Sequence, residues 1–162
     1  MILLADANVL IDLYLLDGLP LAAEIAPTEV LDYIVEEVDS EEQPGIRQRI
    51  ADSSINIVKA EAEWVKHVTE SGLSRQDKVN LHYVRQNKRV MLTGERRLRS
   101  ICTEEGIEVH GTLWLIDQAH EQQLRSAKEL CLWLRRLSEP DRFLPDKEIE
   151  NRRKAFGCKD AA

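Results

Sequence analysis

Neither a disulfide framework, a zinc finger nor a membrane anchor can be read from this sequence. Its three cysteines, Cys102, Cys131 and Cys158, are an odd number set far apart, with no CxxC pair and no histidine at zinc-finger spacing. They read as reduced thiols of a cytosolic protein. No stretch approaches the roughly 18 consecutive apolar residues that span a bilayer. The opening MILLADANVL has no basic leader region and meets an aspartate at position 6, so neither secretion nor membrane insertion is expected. Also missing are a Gly-x-Ser-x-Gly elbow, an HExxH helix and a Cys-His arrangement among His67, His82, His110 and His120. Hydrolysis by a side-chain nucleophile therefore has no signature here.

A net charge of −7 argues against a general nucleic-acid coat protein, which attracts phosphate with a broadly basic surface. The charge is uneven, however. Residues 36–42, EEVDSEE, carry five acids in seven positions, whereas residues 85–99 hold Arg85, Lys88, Arg89, Arg96, Arg97 and Arg99 against the single acid Glu95. With 43% hydrophobic residues in a chain of 162, one compact cytoplasmic domain over 1–162 is expected, with a core over about 2–120 and C-terminal helices over about 111–156.

Apolar runs alternate with helix-period segments. Ile2–Ala5 reads as a buried strand and Val9–Leu16 as a helix ended by Gly18 and Pro20. Thr28–Leu31 reads as a second strand, with Asp32 capping a helix from Tyr33 toward Pro44. Helix over 46–52, strand over 55–59 and helix over 61–70 follow, the last with Trp64, Val65 and Val68 on one face. Ser74-x-x-Asp77 has the spacing of a capping box before Val79, Leu81 and Val84. Arg89–Thr93 is a buried strand, Gly94 leads into a helix over 95–105, Gly106 stops it, and Ile107–Val109 is a last strand. Two or three helices, broken near Pro140 and Pro145, complete the chain, with Leu130, Leu134 and Leu137 spaced for burial. The pattern predicts an α/β fold with a mainly parallel sheet flanked by helices.

In such a sheet, reacting groups collect at the carboxyl ends of the strands. Asp6 and Glu95 both follow a strand directly. Each candidate acid also has a structural explanation: Asp6 as a helix cap, Glu37 as part of a solvated acidic face, Asp77 as the capping-box acid, Glu95 as a partner of a helix dipole. Gathered in one cleft, they would repel one another and stay ionised most readily around a divalent cation. A donor set of hard oxygens without His or Cys suits Mg²⁺ or Mn²⁺. Such an ion activates water and stabilises charge at a phosphodiester.

The ordered set DANVLIDL, LDYIVEEV, LSRQDKVNLHYV and VMLTGERRLRSICTEEGIEVHGTLWLID resembles PIN-domain proteins, including VapC-type toxins of toxin-antitoxin systems. The resemblance implies a PIN-like α/β/α sandwich with a helical C-terminal extension. It also implies a Mg²⁺- or Mn²⁺-dependent endoribonuclease whose metal-binding and catalytic acids are Asp6, Glu37, Asp77 and Glu95, supported by Asn8 and Thr93. The motif departs from the family at one place: Thr93-Gly94-Glu95 stands where the family usually has Thr-Gly-Asp. The resemblance further implies an RNA substrate, a small antitoxin protein as partner and a homodimer.

Arg96, Arg97 and Arg99 are candidates for guiding the RNA backbone, or form an exposed helix face. Trp114 and Trp133 could stack a base, although apolar neighbours favour core packing. Two rival readings remain. A haloacid-dehalogenase-like phosphatase also opens with a strand and an aspartate, but position 8 is Asn8 where that reading needs its proton-transfer Asp. A PIN-fold binding module with little or no nuclease activity keeps the fold without the chemistry, and Glu95 is the feature in its favour.

Overall fold

A computed structural model describes residues 1–142 and 144–159. Five parallel strands form the sheet: β1 (Leu3–Ala5), β2 (Thr28–Leu31), β3 (Asn56–Val58), β4 (Val90–Leu92) and β5 (Val109–His110), in spatial order β3-β2-β1-β4-β5. β1 lies at the centre, with Leu3, Leu4 and Ala5 in register with Val90, Met91 and Leu92 of β4. On its other side Leu3 and Leu4 align with Thr28 and Glu29 of β2. Every residue of β1 and β4 is buried, as their unbroken apolar runs require of strands covered on both faces.

Connecting these strands are α1 (Ala7–Leu15), α2 (Pro20–Ile25), α3 (Asp32–Val38), α4 (Ile46–Asp52), α5 (Arg75–Asn87) and α6 (Arg96–Glu104), followed by α7 (Thr112–Glu121), α8 (Ala127–Leu137) and α9 (Asp146–Ala155). The α/β architecture with a central parallel sheet is as the sequence predicts. Local differences have physical causes. Pro20 does not only end the first helix; it opens α2 at the first helical position, where its missing N–H costs nothing. Asp32 is not a cap but lies inside α3, and its Oδ1 accepts from the Ala60 N–H at 3.0 Å, anchoring the loop after β3. The helix expected over 61–70 shortens to a 3₁₀ segment, Ala62–His67, with no buried residue to extend it. Ser74 caps α5 as its spacing predicts, its Oγ accepting from the Asp77 N–H at 3.1 Å. Gly106 takes a φ of +73° directly after α6, a conformation that ends a helix without a Cβ clash.

The chain divides into two compact units, one from Met1 to Thr112 and a second beginning at Leu113. In the second unit Leu130, Leu134 and Leu137 are buried, as is Trp133. α9 buries only Ile149, so apolar contact alone holds it weakly. Other bonds tie it down: Arg152 forms a bidentate pair with Asp117, both contacts 2.8 Å, and Phe156 stacks on His120 with ring centres 4.1 Å apart. A disulfide between Cys131 and Cys158 closes the unit. This corrects the reading of all three cysteines as reduced thiols: only Cys102 is free, and it is buried. Their separation of 27 residues hid a pairing that the α8–α9 hairpin creates, with Cα atoms 5.5 Å apart.

Replacing Cys158 by serine is expected to cost about 3 kcal/mol of stability, the scale for closing a loop of this size. Faster amide hydrogen exchange in α9, with α5 unaffected, checks the location. In the first unit, Asn80 on α5 is fully buried and neither of its side-chain amide atoms has a hydrogen-bond partner. Asn80→Leu, of similar volume, is therefore expected to stabilise the protein by about 1–2 kcal/mol in urea unfolding.

Candidate functional site

From β1 the chain proceeds to β2 and β3 on one side of the sheet and later returns to β4 and β5 on the other. The crevice between the carboxyl ends of β1 and β4 is thus the topological switch point, where such sheets bind ligands. Asp6 leaves β1 there and Glu95 follows β4. The Asp6 backbone N–H donates to Leu92 O at 3.0 Å, holding the two strand ends together.

Asp6 is 3% exposed, and both of its carboxylate oxygens accept hydrogen bonds. Oδ1 accepts from the Asn8 backbone N–H at 2.8 Å, the capping bond that starts α1. Oδ2 accepts from the Thr93 hydroxyl at the end of β4. The Thr93 Oγ1 in turn accepts from the Glu95 N–H at 3.0 Å. The Asn8 side-chain amide donates to Glu95 Oε1 at 2.8 Å. Asn8 thus serves two acids, its backbone holding Asp6 and its side chain holding Glu95. One continuous set of bonds fixes Asp6, Asn8, Thr93 and Glu95.

Glu37 and Asp77 enter from α3 and α5. Burial pushes the Asp6 carboxyl up to about 7 against the pull of the Thr93 and Asn8 hydrogen bonds, and the charges of Asp77 and Glu95 add to the rise. Asp77 is raised first by burial and then by Glu95, with the Ser74 bonds opposing. Glu37 is raised by partial loss of solvent and then by Asp77 and Glu95. The four acids named from sequence therefore share one electrostatic neighbourhood. Yet no group of three or more His, Cys, Asp or Glu side chains among the described residues stands close enough to enclose an ion. The cluster is open, with Asp6 at its floor and the exposed Glu37 and Glu95 at its rim.

The basic strip read from residues 85–99 does not form one surface. Arg85 pairs with Glu70 and Glu105, and Arg89 with Glu29. Arg97 donates to Ser71 O at 3.1 Å and Arg99 to Thr93 O at 3.0 Å, the latter bracing the turn that carries Glu95. Arg96 is exposed at the start of α6. Trp133 is 6% exposed beneath the Arg125 guanidinium, and Trp114 is half-buried.

A family model described as PIN domain matches residues 2–157, nearly the whole chain. The chain belongs to the PIN-domain family. PIN domains are in general nucleases, hydrolases that act on nucleic acid and typically use divalent metals. Family membership displaces the phosphatase reading. No curated protein matches the chain. The fold is similar to that in the crystal structure of PAE2754 from Pyrobaculum aerophilum, at 16% identity and a TM-score of 0.53, covering 73% of this chain and 89% of that one. No helix among the described residues is long and apolar enough to cross a membrane.

The raised Asp6 carboxyl sets a pH dependence. An acid whose pKa is higher folded than unfolded takes up protons on folding, so metal-free stability falls as pH rises from about 4 to about 7. Asp6→Asn removes the buried charge and is expected to stabilise the metal-free protein at pH 8 by on the order of 4 kcal/mol, at 1.36 kcal/mol per pKa unit. Thermal unfolding of both proteins in EDTA across this pH range checks it; parallel curves would count against the buried charge.

Proposed function

We propose that this PIN domain is a metal-dependent endoribonuclease that hydrolyses RNA phosphodiester bonds. The observation carrying this reading is that the charges of Asp77 and Glu95 raise the buried Asp6 and the rim acid Glu37 at the switch point of the sheet, and that Glu95 raises Asp77. Hard carboxylate oxygens gathered within reach of one another's charge form a donor set that suits Mg²⁺ or Mn²⁺. Asp6, Glu37 and Asp77 would hold such an ion, with Glu95 as a further ligand. When bound, the ion supplies Lewis-acid charge and lowers the pKa of water at the phosphodiester.

The chain's own residues set the geometry. Thr93 and Asn8 clamp both oxygens of Asp6, so the carboxylate meets an incoming cation in one orientation without rotamer loss. The Asn8 amide holds the longer Glu95 side chain at 2.8 Å and so offsets the extra methylene relative to the family's usual Asp. Protons compete for the same oxygens, so cation affinity falls as pH drops through the Asp6 titration near 7. The exposed Arg96, with Arg97 and Arg99 on the same helix start, is proposed to meet the RNA backbone.

An RNA substrate implies action in the cytoplasm. The resemblance to VapC-type toxins supports a small antitoxin as inhibitor and a homodimer as the acting form. A second reading, a binding module with little cleavage, is favoured by the open spacing of the acids and by Glu95 in the place of Asp.

Purified protein with labelled RNA is expected to cleave in Mn²⁺ or Mg²⁺ and to stop in EDTA. Asp6→Asn is expected to lose activity by about a hundredfold or more, and Thr93→Val by about 10- to 100-fold, the scale for groups that orient metal ligands. Cleavage that persists in Asp6→Asn would mark a contaminant. No cleavage by wild type or Glu95→Asp over a broad RNA panel would favour the binding module.

A further inference from the structure

We infer that Tyr33 and Arg75 form a nucleotide clamp at the mouth of the acidic cluster, Tyr33 stacking on a base and Arg75 holding a backbone phosphate of single-stranded RNA. The inference rests on the ribonuclease reading and adds a grip on the substrate that carboxylates cannot supply.

The Arg75 guanidinium lies over the Tyr33 ring, 5.9 Å from its centre. Tyr33 is in the first turn of α3, four residues before Glu37, and so shares its helix face. Arg75 is the first residue of α5, two before Asp77. The Asp77 charge on α5 raises Glu37 on α3, the same two helices that Tyr33 and Arg75 join. The Tyr33–Arg75 contact bridges these two helices and is made by an exposed arginine and a half-exposed ring.

Like Arg96, Arg75 carries a charge that no ion pair takes up among the described residues. Arg85 and Arg89 are committed to carboxylates, and Arg97 and Arg99 to backbone carbonyls. Arg75, among the described residues, is in no ion pair although it belongs to the helix that carries Asp77. An arginine resting on a ring gives up little when a phosphate oxygen offers charge-assisted hydrogen bonds instead. Single-stranded RNA is read in this way, by bases on aromatic faces and phosphates on guanidinium forks.

The test is fluorescence anisotropy with a labelled single-stranded RNA of about 12 nucleotides, within the usual span of such sites, on the full chain in Ca²⁺. Cleavage of the same RNA in Mn²⁺ is measured alongside. Tyr33→Ala and Arg75→Ala are each expected to weaken binding about five- to tenfold, the low end for losing a stacked base or a phosphate contact. Tyr33→Phe, which keeps the ring, should bind as wild type. Arg75→Ala should also reduce the salt slope by about one, and Tyr33→Ala should leave it unchanged. In cleavage the two alanine variants should raise KM and leave kcat nearly constant. Unchanged binding and KM in both alanine variants, with wild type active, would overturn the clamp and leave the nuclease reading intact. Binding that depends on both side chains in a protein that never cleaves would support the clamp and overturn the nuclease reading. Wild type that fails to bind the RNA would overturn the clamp.

Discussion

Burying one carboxylate where β1 ends is the constraint around which the first unit is organised. An ionised Asp6 at 3% exposure is costly, and two donors offset only part of that cost: one in the first turn of α1, the other in the Thr93 hydroxyl at the end of β4. These bonds tie together the two strands between which the chain changes direction. They also fix Asn8 and Glu95, because the same threonine oxygen and the same asparagine serve both acids. Loss of any member leaves another polar group without its partner. The site and the centre of the sheet are therefore held by one network.

Repulsion shapes the remainder of the cluster. Glu37 and Asp77 arrive on different helices; the charges of Asp77 and Glu95 raise Asp6 and Glu37, and that of Glu95 raises Asp77. The Ser74 bonds oppose the rise at Asp77 and the Thr93 and Asn8 bonds oppose it at Asp6, yet both carboxyls stay raised. Under the proposed function, a divalent cation among these carboxylates would relieve that repulsion. Placing most nearby arginines in ion pairs or on carbonyls keeps the cleft acidic.

The second unit is built on a different balance. α8 is strongly amphipathic and buries Leu130, Trp133, Leu134 and Leu137, whereas α9 buries one side chain and relies on a disulfide, a bidentate ion pair and a ring stack. Directional bonds substitute there for apolar area, so its stability depends on redox state and salt more than that of the sheet does.

Periodicity and local chemistry were legible in the sequence. The apolar runs of β1 and β4, the Ser74 cap of α5, the stop at Gly106 and the α/β alternation all follow from residue type and spacing. The candidate acids were named as an ordered set by the resemblance to PIN-domain proteins, because each alone has a structural explanation as a cap, a dipole partner or a solvated face. Asp32 shows the limit: an aspartate placed to cap a helix by its neighbours in sequence instead binds Ala60, 28 residues away. The Cys131–Cys158 pair, the dispersal of the arginines into separate bonds and the meeting of Arg75 with Tyr33 share that character. Each joins residues on different elements. Local propensity acts over a few residues and is written in the chain; these contacts arise only when strand order and helix packing bring distant side chains within a few ångströms.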